Sequence, residues 1–235
     1  MSKDKYDPPE MMEVIKGIFT SYQEREQREL DGRDEGYLAI SGTYELNRVL
    51  NGKVYQKEFL LGIVLTEPIP HVYLLKDMDG IKKSGFHHFY EGGRCCLGTD
   101  VAILLSWGRE YDTAAFFEDG VDPFLINTIS YIEEGIAVMG ELGHGSKGME
   151  EYYCSLFGVD NKEIRQTIPR ILTILFKRQI PDSQLCTCRK NIFSECTCAG
   201  KMFLDRAIKD QTLTKAFYKD MKTISWVNVK KYRRR

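Results

Sequence analysis

YLAISGTYELNRVLNGKVYQKEFLLGIVLT, residues 37–66, is the stretch on which the fold turns. Residues 37–48 mix aromatic and β-branched side chains and read as a strand. Asn51-Gly52 follows, a dipeptide whose tolerance of positive φ suits a two-residue hairpin turn. Residues 54–66 are then the returning strand, and their second half is apolar enough to lie in the middle of a sheet. Pro68 and Pro70 interrupt any further ladder, because proline has no N–H to donate. Residues 71–76 give a third short strand, so the centre of the chain is expected to be an antiparallel sheet.

Elements of another period flank this sheet. Residues 10–28 carry Met11, Ile15, Ile18, Phe19 and Tyr22 at helical spacing, which predicts an amphipathic N-terminal helix ending before Asp31-Gly32. Downstream, residues 101–107 are apolar, and a mobile or extended insertion is expected to run from there through Asp122. Pro123 suits the first turn of a helix over residues 123–139. Residues 140–148 are glycine-rich, residues 149–157 resume a short helix ending at Gly158, and further helices are expected over 162–177 and 204–224. Strands grouped first and helices after them make an α+β plan.

The chain has 235 residues, enough for one large domain or two modest ones, with 43% hydrophobic and 29% charged residues. Its formal net charge of −1 gives no global field for nucleic acid or a membrane surface. Only Lys230-Lys231-Tyr232-Arg233-Arg234-Arg235 forms a basic run, read as a solvated tail. No apolar stretch approaches the roughly 20 residues that span a bilayer. Met1-Ser2-Lys3-Asp4-Lys5 lacks the apolar core of a signal peptide, so a cytoplasmic location is expected. There the seven cysteines are expected to be thiols, ligands or nucleophiles rather than disulfides.

Two of them sit in Gly85-Phe86-His87-His88-Phe89-Tyr90-Glu91-Gly92-Gly93-Arg94-Cys95-Cys96-Leu97-Gly98. A reactive thiol needs partial exposure and nearby donors or positive charge. The glycine turn supplies exposure, and Arg94, His87 and His88 could supply the field. On the residues alone, a nucleophile, a metal site and a pair of small packing side chains all remain open.

The order of elements, with this stretch in it, resembles the ubiquitin-conjugating (UBC) fold. Thr66-Glu67-Pro68-Ile69-Pro70-His71-Val72 looks like that family's proline segment. Phe86-His87-His88 falls where its His-Pro-Asn triplet belongs, and Gly92-Gly93-Arg94-Cys95-Cys96-Leu97 matches its cysteine motif. Pro123-Phe124-Leu125-Ile126 looks like the opening of its crossover helix. The family's asparagine is absent, His88 standing there by spacing, and Trp107 is a loose match to its tryptophan. Such departures, with Gly140-Glu141-Leu142-Gly143-His144-Gly145, are like those of divergent bacterial members found beside activating enzymes and ubiquitin-like proteins, a setting that implies antiphage defence.

The resemblance implies a conjugating domain over residues 1–160 and a helical extension over 161–235. It further implies that Cys96 accepts a ubiquitin-like protein as a thioester from an ATP-dependent activating enzyme and passes it to an amine on a target protein. His88, with His87 as fallback, would donate to the oxyanion. Asp119 or Asp122, with Glu118 a weaker choice, would help the incoming lysine shed its proton. Cys95 becomes a packing residue. Two other readings accompany this one: a catalytically inactive module binding the modifier noncovalently, and a hydrolase pairing Cys96 with His144.

Cys186-Thr187-Cys188 and Cys196-Thr197-Cys198 form a repeated CxC pair across a short gap. Four thiolates can close a tetrahedral structural Zn²⁺ site with no open position. The spacing is similar to the SEC-C zinc motif, with a shorter loop and no Gly-Ser-Gly. Cys154, alone on a helix, is expected in the core.

Overall fold

The computed structural model describes residues 7–66, 68–76, 80–81, 85–86, 88–107, 112–140 and 145–224. The chain divides into two compact units, one comprising Met1–Gly98 and Ala102–Glu141, the other Thr99–Val101 and Leu142–Arg235. The boundary expected at residue 160 lies inside the second.

The first unit is built on a four-stranded antiparallel meander, β1 (Ser21–Arg25), β2 (Ala39–Leu50), β3 (Lys53–Val64) and β4 (His71–Leu74), in sequence order across the sheet. Leu50 pairs with Lys53 across Asn51 and Gly52, at φ 51° and 80°, the conformation that Asn-Gly favours. Register then alternates the side chains. Ile40, Tyr44 and Leu46 share a face with Phe59, Leu61 and Ile63, whereas Ala39 and Val64 face the other way, packed with Tyr73 under Leu30, Tyr37 and Leu75.

The N-terminal helix is shorter than its periodicity predicts. α1 (Pro8–Ile18) starts on the Asp7 cap, buries Met11, Met12 and Ile15, and stops at Phe19. Residues 21–25 pair instead with β2, from Ser21 opposite Thr43 to Arg25 opposite Ala39. Phe19 lies over Gly42, where any Cβ would come within 2.2 Å of its ring. Sheet pairing outcompetes helix propensity here, and the strand was invisible as such because it is an exposed, charged edge. α2 (Gln27–Asp31) follows. The buried Gln27 carboxamide oxygen accepts from the Glu35 and Tyr37 N–H groups at 3.0 and 3.2 Å, tying down the approach to β2.

After α3 (Asp100–Ser106) and the buried Trp107, the described part of the expected insertion, residues 112–122, is helical. Asp112 caps α4 (Thr113–Phe116), a π turn occupies Phe117–Val121, and α5 runs Asp122–Glu134. Burial drives this. Trp107 packs on Phe116 with centroids 4.9 Å apart, and Phe117 packs on Tyr44 at 5.2 Å. Pro123 does not begin the helical run. The widened π turn before it accommodates a residue whose ring clashes with the carbonyl four positions back.

The second unit contains α6 (Gly145–Phe157), α7 (Asn161–Lys177), α8 (Ala199–Ala207) and α9 (Gln211–Thr223). Asp160 and Glu163 form a reciprocal capping box at the start of α7. Tyr153 and Phe157 of α6 meet Phe217 and Phe203 edge-on, which explains why α6 belongs to this unit. The single closing helix expected over 204–224 is two helices, because Asp210 caps α9 through the Leu213 N–H at 3.0 Å. No described helix is long and apolar enough to cross a membrane.

Asp220, 2% exposed, accepts from the Tyr153 hydroxyl at 2.7 Å. Burial pushes its carboxyl up to about 6 from 3.8; the negative charge of Asp100 adds to the rise, while Tyr153 and Lys219 oppose it. The folded state thus binds a proton more tightly than the unfolded chain, and stability falls as pH rises from about 4 through 6. Asp220→Asn is expected to raise stability at pH 7 by about 2 kcal/mol and to flatten that dependence. Urea unfolding at pH 4.5 and 7 checks it, and an unchanged slope would refute it.

Candidate functional site

The stretch containing the cysteine pair folds as a small ribbon added to the sheet beyond β4. Tyr73 bridges to Arg94, and the Cys95 N–H donates to the Val72 carbonyl at 2.7 Å. The chain doubles back through the Glu91–Gly93 turn, with Gly92 and Gly93 at φ 76° and 81°, values that favour glycine. Phe89 bridges to Cys95, the Tyr90 N–H donates to the Arg94 carbonyl at 2.8 Å, and the Cys96 N–H to the His88 carbonyl at 2.9 Å.

That register separates the two cysteines. Cys95 and Phe89 face the core, where Cys95 is buried and Phe89 packs on Phe124 of α5 with centroids 5.1 Å apart. Tyr90, Arg94 and Cys96 take the opposite side. Burial pushes the Cys95 thiol well above its ordinary value, so it stays neutral and unreactive. Cys96 is half-buried, and its Sγ lies 3.5 Å from the Tyr90 hydroxyl. The Arg94 guanidinium carbon is 4.1 Å from the centroid of the Tyr90 ring, and its Nη1 is 3.3 Å from His71 Nε2.

His88 occupies the register position directly opposite Cys96. Its ring lies against Phe86, centroids 5.1 Å apart, and Phe86 is anchored in turn on Phe124 and Tyr131. The ribbon thus brings Cys96, His88, Tyr90 and Arg94 into one small structure. His87 and His144 lie outside the described residues, as does the basic run at 230–235.

Asp122 sits elsewhere in chemical character. It is 2% exposed and accepts hydrogen bonds from the Tyr44 hydroxyl and from Arg48 Nε at 2.5 Å, both on β2. Its two oxygens fasten the start of α5 to the sheet. Arg48 also reaches Glu118 at 3.3 Å. Asp119 is exposed on the π turn. Tyr90 went unnoticed in the sequence, yet reflecting the chain about Gly92-Gly93 pairs Tyr90 with Arg94 and points to both.

In the second unit Cys186, Cys188, Cys196 and Cys198 place their sulfurs within 4.8 Å of one another, and the group could hold a metal ion. Cys186 and Cys198 are 3.6 Å apart, Cys188 and Cys196 3.4 Å. Both separations are far beyond a disulfide bond of about 2.05 Å. They are near the edge of about 3.8 Å that a tetrahedron with 2.3 Å metal–sulfur arms requires. The backbone builds the cage. The Cys186 N–H donates to Asn191 at 2.8 Å and the Arg189 N–H to Cys186 at 3.0 Å, with Arg189 at φ 59°. Cys198 caps α8, accepting from the Lys201 N–H at 3.4 Å. Burial and the three neighbouring sulfurs push the Cys198 thiol up, a cost that a bound cation reverses by favouring thiolates. Gly200 allows close approach, since a Cβ there would come within 2.8 Å of Phe157 and Thr187. Cys154 is half-buried rather than in the core, 3.1 Å from Asn161 Oδ1.

No family model matches the sequence, and neither a curated protein nor a solved structure matches the chain.

Asp122→Ala is expected to lower unfolding free energy by about 2 kcal/mol, because it strands the buried Tyr44 hydroxyl. The Arg48 arm adds little, its side chain being 42% exposed and screened by solvent. Asp122→Asn, which keeps an acceptor, should lose less. Urea denaturation of both variants measures the difference, and equal losses would contradict the Tyr44 account.

Proposed function

We propose that the chain is a conjugating enzyme of the UBC-like kind, one that takes a ubiquitin-like protein as a thioester on Cys96 from an activating enzyme and transfers it to an amine on a target. The observation that carries this reading is the ribbon beyond β4, which holds Cys96 outward and its neighbour Cys95 inward. An N-terminal helix followed by a four-stranded meander precedes that ribbon, which accords with the resemblance read from the sequence.

Attack of an amine on the thioester carbonyl generates an oxyanion that needs a donor about 3 Å away. His88, opposite Cys96 in register and backed by Phe86, is the donor in place of the missing asparagine. No proton-transfer step falls to Asp122, whose carboxylate is committed to Tyr44 and Arg48. Asp119, exposed on the π turn, is the acid left to assist the incoming lysine.

In the extension the four cysteines hold a structural Zn²⁺. With all four positions filled by sulfur no open site remains, so the ion stabilises the second unit rather than catalysing.

Incubation with the cognate activating enzyme, modifier and ATP is expected to give a reductant-sensitive adduct that persists in Cys95→Ala and is lost in Cys96→Ala. The reverse pattern would remove Cys96 from the role. His88→Ala should retain the adduct but slow its discharge to lysine by on the order of 10²-fold. For the metal, one zinc per chain is expected by elemental analysis, abolished in Cys196→Ser. A chelator should lower the melting temperature, and protein purified without zinc and indifferent to chelation would exclude the ion.

A further inference from the structure

The conjugating reading leaves the contact between Cys96 Sγ and the Tyr90 hydroxyl without a role. In the thiol form the sulfur donates to the hydroxyl oxygen. A thiolate has no proton to give, so the same contact can then run only from the Tyr90 O–H to sulfur. Tyr90 is held for that reversal. Its backbone N–H is bonded to the Arg94 carbonyl, and the Arg94 guanidinium lies over its ring at 4.1 Å. A cation against the ring draws electron density from the phenol and strengthens the O–H as a donor. Arg94 is steadied in turn by His71 and by the bridge to Tyr73.

We infer that Tyr90 is a further catalytic residue, the donor that stabilises the Cys96 sulfur as a thiolate, and that Arg94 is the positioning residue that holds and polarises it. The role in transfer rests on the conjugating reading; the effect on the thiol does not. In transfer the amine nitrogen bonds to the acyl carbon, the carbon–sulfur bond breaks, and its electron pair stays on Sγ. The amine proton passes to the acid assigned to it, Asp119, and Tyr90 meets the departing sulfur with its O–H. Among the described side chains, the titratable and charged groups adjoining the ribbon are Arg94, His88, His71, Tyr73, Tyr131 on α5 and the neutral thiol of Cys95.

The probe is iodoacetamide, with alkylation at Cys96 located by fragmentation mass spectrometry. A hydrogen bond to an anion is worth about a factor of ten in an equilibrium. A better-stabilised thiolate is a poorer nucleophile, with a Brønsted slope of about 0.4–0.5, so the net change at neutral pH is about threefold. Tyr90→Phe and Arg94→Met are expected to slow alkylation about threefold at pH 7, while Arg94→Lys, which keeps a cation at the ring, stays closer to the wild-type rate. At pH 9.5, where ordinary thiols are mostly ionised, the gap should close or reverse. Alkylation of Tyr90→Phe at the wild-type rate at pH 7 would overturn the assignment. So would equal slowing at both pH values, the mark of altered access. If the crossing profile appears while no thioester forms with the activating enzyme, Tyr90 keeps its role at the thiol and the conjugating reading falls. A thioester with a flat profile would instead remove Tyr90 from the role and leave the conjugating reading standing.

Discussion

The hydrogen bond from the Cys95 amide to the Val72 carbonyl decides what the centre of the first unit can do. It sets the register of the ribbon on β4, and in a pleated chain register decides which side chains face the core. A slip of one residue would bury Cys96 and turn Cys95 outward. Two chemically identical neighbours are thus made unlike by backbone pairing alone, one held neutral by burial and the other presented beside a phenol and a guanidinium. The hairpin of β2 and β3 supplies the platform, and Asp122, bonded to Tyr44 and Arg48, fastens α5 to it, from which Phe124 and Tyr131 back the loop carrying His88.

The sheet was legible where local chemistry agreed with the fold. Asn51-Gly52 placed its turn, and the apolar second half of β3 marked a central strand. What the sequence hid was whatever tertiary contact decides. β1 is charged and exposed, so its pattern continues that of α1, and only pairing with β2 separates them. The helical run over 113–134 was hidden for the opposite reason: Pro123 reads as a beginning, although Phe116 and Phe117 bury themselves before it. At the site, Cys96 and His88 stood out only through the resemblance to the conjugating family. Tyr90 needed the doubling-back of the chain, a three-dimensional fact written only faintly in two glycines.

The chain uses cysteine in two contrasting ways. Cys96 stands half-buried in a short ribbon, with a hydroxyl in reach. The cluster at 186–198 is drawn together by turns and a helix cap until its sulfurs approach the spacing of a closed tetrahedron. Partial exposure leaves a thiol accessible, and closure withdraws it.

The ribbon also finishes the sheet. On the far side β1 presents a short, charged edge, its Glu24 paired to Lys16 and its Arg25 to Ser41, which discourages another strand from adding there. Among the described residues beyond β4, the Arg94–Cys95 segment covers β4 and leaves the brief stretch around Phe89 outermost. The segment that carries Cys96 is therefore the hem of the sheet. Loosening it would release Cys96 from its backbone partner and uncover the β4 backbone in the same event.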